Sequence, residues 1–526
     1  MAEQQAITDL TEINRRVKET VEAERQTFTS EPEPEREPEA VQIPSAEILR
    51  ALQRNEDGDA DLYIRLHRGR LTYDHAEAAW YFWQGHHWEI DATEQALAGV
   101  AEVADLYVSE MKRQAWARAG AEKTGQTRAA ETARNLETLL AKRVRDLQTI
   151  RRKQAVLHLA RAGADTLGIS GDEWDRDPLS LPVVNGVIDL RTGDFRTGYP
   201  SDYFKTFAPT HWQGIDAQRP NWEAFLFSTF GGDAALISFM ARLLGYAITG
   251  KTTEASLPIG HGAGRNGKTV LVQAVADVMG PDLAGPIEAE MLLESRFTRQ
   301  SGGPSSDLLH LRGRRLAWLS ETNENRRINS GKVKLFTGAD LITGRAPYGK
   351  RQVTFSPTHK IFLLTNHRPK ADAQDMALWR RVLLIPFEMI FVTNPDPTKP
   401  NERLADMDLA EKLRTERPGI LAWLVAGCLE WQRVGLCPPQ SVMAATKQYQ
   451  DAEDTLKTFR AEQCNEGPTF SVRAGAFYES YKKWAERNGE RPVSGKQFGQ
   501  YMTEVYDSTG DRGGKTYLGV SVCDGL

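Results

Sequence analysis

The chain has 526 residues, of which 40% are hydrophobic and 26% are charged, and its formal net charge is -5. This length predicts roughly three or four folding units. No stretch approaches the ~20 consecutive apolar residues that a membrane-spanning helix needs. The acidic start of the chain resembles neither a secretory signal nor a transit peptide, so the cytoplasm is the expected location.

The uneven distribution of charge leaves the question of a nucleic-acid partner open. Residues 1–42 hold eleven acids and five bases, so the rest of the chain is close to neutral. The segment from Glu31 to Gln42, EPEPEREPEAVQ, is acidic and rich in proline. It belongs to a tail, residues 1–44, that is predicted to be disordered. The cysteines lie too far apart for a zinc or redox motif, which predicts free thiols at Cys428, Cys437, Cys464 and Cys523.

Residues 45–235 are predicted to form an α+β domain. The stretch WYFWQGHHWEID indicates a small β-hairpin around Gly85, whose aromatic side chains more often form a core than a surface for stacking bases. Residues 129–168 have apolar positions at helical spacing and no proline, which predicts a long helix or a helix pair. Alternating residues around the turn pair Asn185-Gly186 predict a short β-rich element.

Residues 236–400 have the pattern of an α/β domain. An apolar strand, a Gly-rich loop and a helix are followed by further apolar strands, which are separated by helical and basic stretches. Residues 401–455 are predicted to be a helical extension, and the helical patterns beyond the α/β core run through LAWLVAGCLEWQ and MAATKQYQDAEDTLKTFRAEQC. Residues 456–526 carry two helical patterns and a terminal strand hairpin, which predict a winged-helix-like domain.

The run GAGRNGKT satisfies the rule G-x-x-x-x-G-K-[ST] and lies between a predicted strand and a predicted helix. In such a loop the backbone N–H groups surround the phosphates of ATP, Lys268 neutralises the β- and γ-oxygens, and Thr269 binds Mg²⁺. An accidental Gly-rich turn is disfavoured by the two flanking elements. The predicted nucleotide-binding residues are Gly262, Ala263, Gly264, Arg265, Asn266, Gly267, Lys268 and Thr269.

Two polar residues directly follow buried strands. Glu321 ends the apolar strand LAWLSE and is predicted to be the general base and a metal-binding group, with Ser320 beside it. Asn366 follows the strand KIFLLT and is expected to orient the attacking water, although an Asn in this position is often only a turn former. Lys268, Glu321 and Asn366 are therefore the predicted catalytic residues within one subunit.

Arg380 and Arg381 precede another apolar strand, and one of them is predicted to be an arginine finger that reaches a neighbouring subunit's nucleotide. Two surface arginines in salt bridges are the alternative. Between the strand that ends in Glu321 and the strand before Asn366 lies a hairpin pattern with basic residues and one aromatic residue. Such a pattern suits contact with a phosphate backbone. Its predicted DNA-binding residues are Lys334, Arg345, Lys350 and Arg351.

The order of these motifs resembles that of superfamily 3 helicases, and more closely that of phage and plasmid primase-helicases of the poxvirus type. The family pattern GxGxNGKT, SE, KxxTGxD, TNxxP and WRR corresponds to residues 262–269, Ser320-Glu321, Lys334 to Asp340, Thr365 to Pro369, and Trp379 to Arg381. The resemblance covers about residues 45–526. It implies an AAA+-like P-loop NTPase core, an N-terminal collar-type domain and a C-terminal winged-helix-like domain.

The resemblance also implies a ring, usually a hexamer, that hydrolyses ATP between subunits and pulls single-stranded DNA through its pore. Lys350 matches the pore contact, with Arg345 and Lys334 nearby. A phage or plasmid replication system implies a bacterial host cell, with a separate primase or other replication proteins as partners.

Two features depart from the family pattern. Only about 45 residues precede the matching region, so a catalytic primase domain is not expected, and Ser320-Glu321 replaces a pair of acids. Two rival functions stay open, namely an NTP-driven remodeller of proteins and an origin-binding initiator without unwinding activity.

Overall fold

The structure is a computed structural model that describes residues 42–294, 306–321, 326–345, 352–511 and 514–523. It divides into two compact units. The first comprises Met1–Asp189 and Asp194–Trp212, and the second comprises Leu190–Gly193 and Gln213–Leu526. The predicted disordered tail lies, up to residue 41, outside the described residues.

The first unit contains helices and two small sheets. Its helices are α1 (Ser45–Gln53), α2 (Asn55–His67), α3 (Gln95–Ala98), α4 (Val100–Lys123), α5 (Thr127–Leu147) and α6 (Ile150–Ala160). Its strands are β1 (Leu71–Asp74), β2 (Ala79–Trp83), β3 (Trp88–Ile90), β4 (Gly168–Ile169), β5 (Ser180–Val183), β6 (Gly186–Asp189) and β7 (Phe195–Arg196). The sheet orders are β3-β2-β1-β4 and β5-β6-β7.

The elements predicted for this unit are present. The hairpin β2 and β3 turns around Gly85, which has a φ of +89°. The region predicted as a long helix or helix pair contains α5 and α6, and the turn pair Asn185-Gly186 joins the antiparallel strands β5 and β6. Tyr81, Trp88 and Trp174 are buried in one aromatic cluster, which favours the core interpretation over a base-stacking platform.

The second unit contains the predicted α/β core and the C-terminal elements. Its helices are α7 (Pro220–Thr229), α8 (Ala234–Ala247), α9 (Lys268–Leu283), α10 (Ser306–Leu309), α11 (Ser330–Thr337), α12 (Met376–Trp379), α13 (Leu409–Thr415), α14 (Arg417–Val434), α15 (Gln440–Ala452), α16 (Thr455–Gln463), α17 (Ala474–Arg487) and α18 (Gly495–Val505). Its first strands are β8 (Leu257–His261), β9 (Ala284–Pro286), β10 (Leu316–Glu321), β11 (Ile342–Gly344), β12 (Val353–Phe355), β13 (Lys360–Thr365) and β14 (Val382–Pro386). The remaining strands are β15 (Ile390–Val392), β16 (Glu402–Leu404), β17 (Cys464–Arg473), β18 (Ser508–Asp511) and β19 (Gly514–Val522).

A five-stranded parallel sheet forms the centre of this unit, with the order β14-β8-β13-β10-β9. All six residues of β13 are buried, as expected for a central parallel strand that is covered on both faces. The predicted α/β character of the core is therefore confirmed.

The boundary between the two units differs from the predicted boundary at residue 235. It falls after Trp212, and both α7 and α8 belong to the unit of the parallel sheet. The backbone N–H groups of Asn221 and Trp222 donate to the Glu416 carboxylate at 3.0 and 2.9 Å. These contacts span almost 200 residues of sequence, so the helical pattern of α7 could not reveal them.

The C-terminal part has more elements than the sequence predicts. One predicted helix is two helices, α15 and α16, because the Asp454 side chain accepts from the N–H groups of Leu456 and Lys457 and starts a new helix. Helices α17 and α18 and the hairpin β18 and β19 are present as expected. Strand β17 adds a third antiparallel strand in the order β17-β19-β18, and the winged-helix assignment stays a prediction.

Across the described residues no single helix combines the length and apolarity required to cross a membrane, and only the pair α7 and α8, bent by 119°, meets that test jointly.

Candidate functional site

The Gly-rich loop lies between β8 and α9, the position that its sequence context predicts. Gly264, Arg265 and Gly267 all have positive φ values, of +86°, +49° and +85°. At Gly262 an added Cβ atom would lie 2.2 Å from both Asn266 Nδ2 and the Phe387 backbone oxygen, so only glycine fits this position. The loop therefore wraps closely and presents the first turn of α9 at the end of the central sheet.

Lys268 is the first residue of α9, and its ammonium group is held by three oxygen atoms. Its Nζ donates to Gly262 O at 2.7 Å, to Asn266 Oδ1 at 2.9 Å and to Asn366 Oδ1 at 3.2 Å. The side chain is buried, and this burial lowers the pKa of Lys268 to about 8. An anion at this position would restore the full charge of the lysine, so the lysine is suited to phosphate.

The loop is also hydrogen-bonded to the part of the chain that follows strand β14. Asn266 is buried, and its Nδ2 donates to the backbone oxygen of Phe387 at 3.2 Å. The Phe391 N–H donates to the backbone oxygen of Arg265 at 2.7 Å. The motif rule leaves the residue at position 266 free, so sequence reasoning missed this role of the asparagine.

The predicted strand-end residues come together at the same edge of the sheet. Glu321 is in register with Thr365, and Thr365 is in register with His261, directly before the loop. Asn366 follows Thr365 and reaches Lys268, whereas Ser320 is exposed. The backbone of Glu321 is therefore at the predicted edge, while its side chain lies outside what the structure describes.

Sequence reasoning missed a group of basic side chains at this edge. Burial, together with the charges of Arg368, Lys268 and His367, lowers the pKa of His261 to about 4. His367 and Arg368 are exposed and follow Asn366 directly. The site is thus electropositive beyond Lys268, which suits a polyanion such as a triphosphate.

The two arginines lie at the end of the strands that is opposite the Gly-rich loop. Val382 is in register with Leu257, so Arg380 and Arg381 precede a five-residue strand that ends beside the loop. A strand of this length separates them from the loop by about 16 Å. Arg381 Nη1 donates to the Ala377 backbone oxygen at 2.7 Å, whereas Arg380 is exposed.

The predicted DNA-binding segment contains a hairpin and one ion pair. Strands β11 and β12 are antiparallel, with Gly344 opposite Val353, so Arg345 begins the connection between them. Lys350 and Arg351 in that connection lie outside the described residues. Lys334 belongs to α11, and its Nζ pairs with Asp375 Oδ2 at 3.0 Å.

The loop fits the triphosphate and metal that its motif implies. The cradle at Gly262 leaves room for backbone groups only, and the side chain of Thr269 is exposed in the first turn of α9. No cluster of three His, Cys, Asp or Glu side chains able to hold a metal occurs among the described residues. Thr269 and Glu321 remain the predicted Mg²⁺-binding residues, which would hold the metal together with the phosphates.

One part of the chain matches the model of a known family. Residues 60–231 match the model of the family described as D5 N terminal like. The match covers α2 through α7, and the parallel sheet with its Gly-rich loop follows it. This match supports a D5-type primase-helicase family, in agreement with the resemblance seen in the motifs.

Several viral proteins are similar to the chain over most of its length. "Putative helicase L207/L206" of Acanthamoeba polyphaga mimivirus is 28% identical over 64% of this chain and 36% of its own length. "Putative helicase 022R" of Frog virus 3 is 26% identical over 63% of this chain and 41% of its own length. "Putative primase C962R" of African swine fever virus is 25% identical over 60% of this chain and 34% of its own length.

The chain thus spans about two fifths or less of these relatives. They come from viruses that carry the names of eukaryotic hosts, and they lend no support to the predicted bacterial host cell. Among solved structures, the apo structure of the NrS-1 C terminal region (305-718) is 13% identical, with a TM-score of 0.39, over 60% of this chain and 79% of that chain.

Proposed function

We propose that the chain is an ATP-dependent DNA helicase of a phage, viral or plasmid-type replication system, and that it works as a hexameric ring on single-stranded DNA. The observation that carries this proposal is the contact of Lys268 with Asn366 at the edge of the sheet where the strand of Glu321 also ends. The relatives in mimivirus and Frog virus 3 are named as helicases, which supports the same class of activity.

ATP would bind with its phosphates along the Gly-rich loop. The backbone N–H groups at the start of α9 and the Lys268 ammonium would hold the β- and γ-phosphates, and the Thr269 hydroxyl would contribute to the Mg²⁺ site. Mg²⁺, when bound, supplies neutralisation of the phosphate charge. Lys268 would exchange Asn366 for a phosphate oxygen as its hydrogen-bond partner.

Hydrolysis requires a group that accepts the proton of the attacking water and a group that orients this water. Glu321 is the proposed general base because its strand ends beside Thr365 at this edge. Asn366 would orient the water once its oxygen is released from Lys268.

A ring explains the position of the arginines. Arg380 is exposed at the edge of the sheet opposite the loop, so it cannot reach the nucleotide of its own subunit. An adjacent subunit can place its loop edge against this arginine, and the guanidinium would then stabilise the transferred phosphoryl group. The N-terminal domain would serve as a collar of this ring.

Contact with DNA is assigned to the hairpin of β11 and β12. Arg345, Lys350 and Arg351 lie in its connection, and Lys334 precedes it on α11. Positive side chains at a hairpin tip can follow the phosphate backbone without reading sequence. A separate primase or other replication proteins would be the partners of the motor.

The test measures ATP hydrolysis with and without single-stranded DNA, together with the unwinding of a forked duplex. We expect DNA to stimulate hydrolysis, Glu321→Gln to abolish both activities, and Lys350→Ala to remove stimulation and unwinding while basal hydrolysis persists. If no nucleic acid stimulates hydrolysis, a protein remodeller is favoured instead. Replication that continues in the Glu321→Gln variant would favour an origin-binding initiator. Electron microscopy with a non-hydrolysable ATP analogue would count the subunits.

A further inference from the structure

The strand-end loop, residues 366–371, connects the nucleotide site to the C-terminal domain, residues 455–523. It begins at Asn366, which bonds to Lys268, and it ends at Lys370 and Ala371. The Lys370 N–H donates to Arg326 O at 2.7 Å, and the Ile328 N–H donates to Lys370 O at 2.9 Å. The segments that follow β13 and β10 are thus joined by their backbones.

Two further contacts fix the middle of this loop. The Tyr449 hydroxyl, which is fully buried on α15, donates to the Pro369 backbone oxygen. The His367 N–H donates to Thr365 Oγ1 at 3.1 Å. A loop that is short, contains a proline and is bonded at both ends transmits a displacement of one end to the other.

The side chain of Lys370 attaches the loop to the C-terminal domain. Its Nζ lies 2.9 Å from Glu490 Oε1, which is in the connection between α17 and α18, and 4.0 Å from Glu453 Oε1 at the end of α15. The Ala371 N–H donates to Glu453 Oε2 at 2.9 Å. Burial would lower the pKa of Lys370, but the Glu490 hydrogen bond and the charge of Glu453 raise it, so the lysine is held charged between two carboxylates.

Polar contacts dominate this junction among the described residues. The buried apolar residues of the C-terminal domain form a cluster of their own, from Leu456 to Val520, that is separate from the cluster around the parallel sheet. A polar cleft of about 350 Å³ lies at the junction. Gln497 Nε2 lies 3.4 Å from Asp372 Oδ2 on its rim, and Arg491 lies 4.0 Å from Glu294. A junction held by a few charged pairs can shift without exposing a core.

We propose that Lys370 and Glu490 are positioning residues that couple the placement of the C-terminal domain to the placement of Asn366 at the nucleotide site. The inference rests on the proposed function, because it assigns regulation to the proposed hydrolytic site. A displacement of the C-terminal domain, such as a bound partner would cause, pulls on Lys370 and moves the strand-end loop. Because Asn366 orients the water, the rate of the chemical step changes more than the affinity for ATP.

The test uses the full chain with charge reversals of the pair. Lys370→Glu and Glu490→Lys are each expected to lower kcat for ATP hydrolysis by at least about threefold, with a smaller change of KM, and the double exchange is expected to recover most of the loss. Hydrogen exchange of residues 366–371 is expected to rise in both single variants and to return in the double variant. The matched control is the double charge reversal Glu479→Lys with Lys482→Glu, at an ion pair within α17. It should change neither kcat nor the hydrogen exchange of residues 366–371.

Single reversals that leave both kcat and loop exchange unchanged would overturn the coupling. Loop exchange that rises while kcat and KM stay constant would overturn it as well, since the loop would then move without affecting Asn366. Equal losses in the single and double variants would mean that the pair acts only through stability. If the unmodified chain does not hydrolyse ATP, the proposed function is wrong. Hydrogen exchange of residues 366–371 would then still test whether the contact between Lys370 and Glu490 holds the loop.

Discussion

Lys268 Nζ lies 3.2 Å from Asn366 Oδ1, and this hydrogen bond joins the Gly-rich loop to a strand end that follows it by 98 residues. Both partners are held from other sides, the lysine by Gly262 and Asn266 and the asparagine by the loop that it begins. An entering phosphate competes with Asn366 for the ammonium group. Under the proposed function, binding of the nucleotide would therefore release the amide that hydrolysis needs.

We first predict that Asn366→Ala reduces kcat for ATP hydrolysis by about 10²-fold, because it removes a polar group that acts in the transition state. KM should change little, since Lys268 keeps two other oxygen partners. The measurement is steady-state hydrolysis at saturating single-stranded DNA. Asn465→Ala, at an exposed position of β17, is the control, and equal activity of the two variants would remove Asn366 from the mechanism.

The second prediction concerns the pH dependence of nucleotide binding. Burial lowers the pKa of Lys268 to about 8 from the ordinary value of 10.5, so the free site loses its positive charge as the pH rises through about 8. Because phosphate binds the charged form, the affinity for ATP should fall above that pH. His261, with a pKa of about 4, is neutral throughout this range and contributes no slope.

Fluorescence titration with a labelled nucleotide between pH 7 and pH 9.5 would measure this slope, a range chosen around the shifted pKa. In Lys268→Arg the guanidinium stays charged, so binding should be weaker but independent of pH. A slope that persists in the arginine variant would assign the titration to another group.

The third prediction tests the cradle at Gly262. A Cβ atom added there would lie 2.2 Å from the Phe387 backbone oxygen, which cannot move without displacing β14. Gly262→Ala should therefore lower the free energy of unfolding by about 1–3 kcal/mol and abolish nucleotide binding. Gly120→Ala on α4 is the control, because its added Cβ meets no atom within 4 Å and should stabilise the helix by about 0.5–1 kcal/mol. Thermal unfolding together with nucleotide titration gives both readings.

Local sequence was enough for those parts of the site that depend on spacing. The motif from Gly262 to Thr269 specifies a loop whose shape depends on its own residues, and apolar strands that end in Glu321 and Asn366 are expected to meet at one edge. The hydrogen bond from Asn266 to the Phe387 backbone oxygen could not be predicted, because it joins residues 121 positions apart.

The same limitation explains why the boundary between the two compact units differs from the predicted boundary at residue 235. Helix α7 has the pattern of any amphipathic helix, and long-range contacts such as that with Glu416 assign it to the unit of the parallel sheet. Likewise, nothing near Lys370 indicates that Glu490 would be its partner. Local patterns predict elements, whereas the packing of distant elements depends on their surfaces in three dimensions.

The last prediction separates the two arginines by complementation between subunits. Arg380 is exposed, whereas Arg381 donates to the Ala377 backbone oxygen, so Arg380 is the expected finger and Arg381 a structural residue. Arg380→Ala should reduce hydrolysis by about 10³-fold or more without changing the Tm, whereas Arg381→Ala should lower the Tm. A variant without a finger still has an intact Gly-rich loop.

Mixing Arg380→Ala with Lys268→Ala subunits therefore creates interfaces in which one subunit supplies the lysine and its neighbour supplies the arginine. Such interfaces are complete, so the mixture should regain hydrolysis that neither variant has alone, with a maximum at equal proportions. Hydrolysis measured across a series of mixing ratios checks this expectation. A mixture as inactive as its components would show that Arg380 does not act on the nucleotide of a neighbouring subunit.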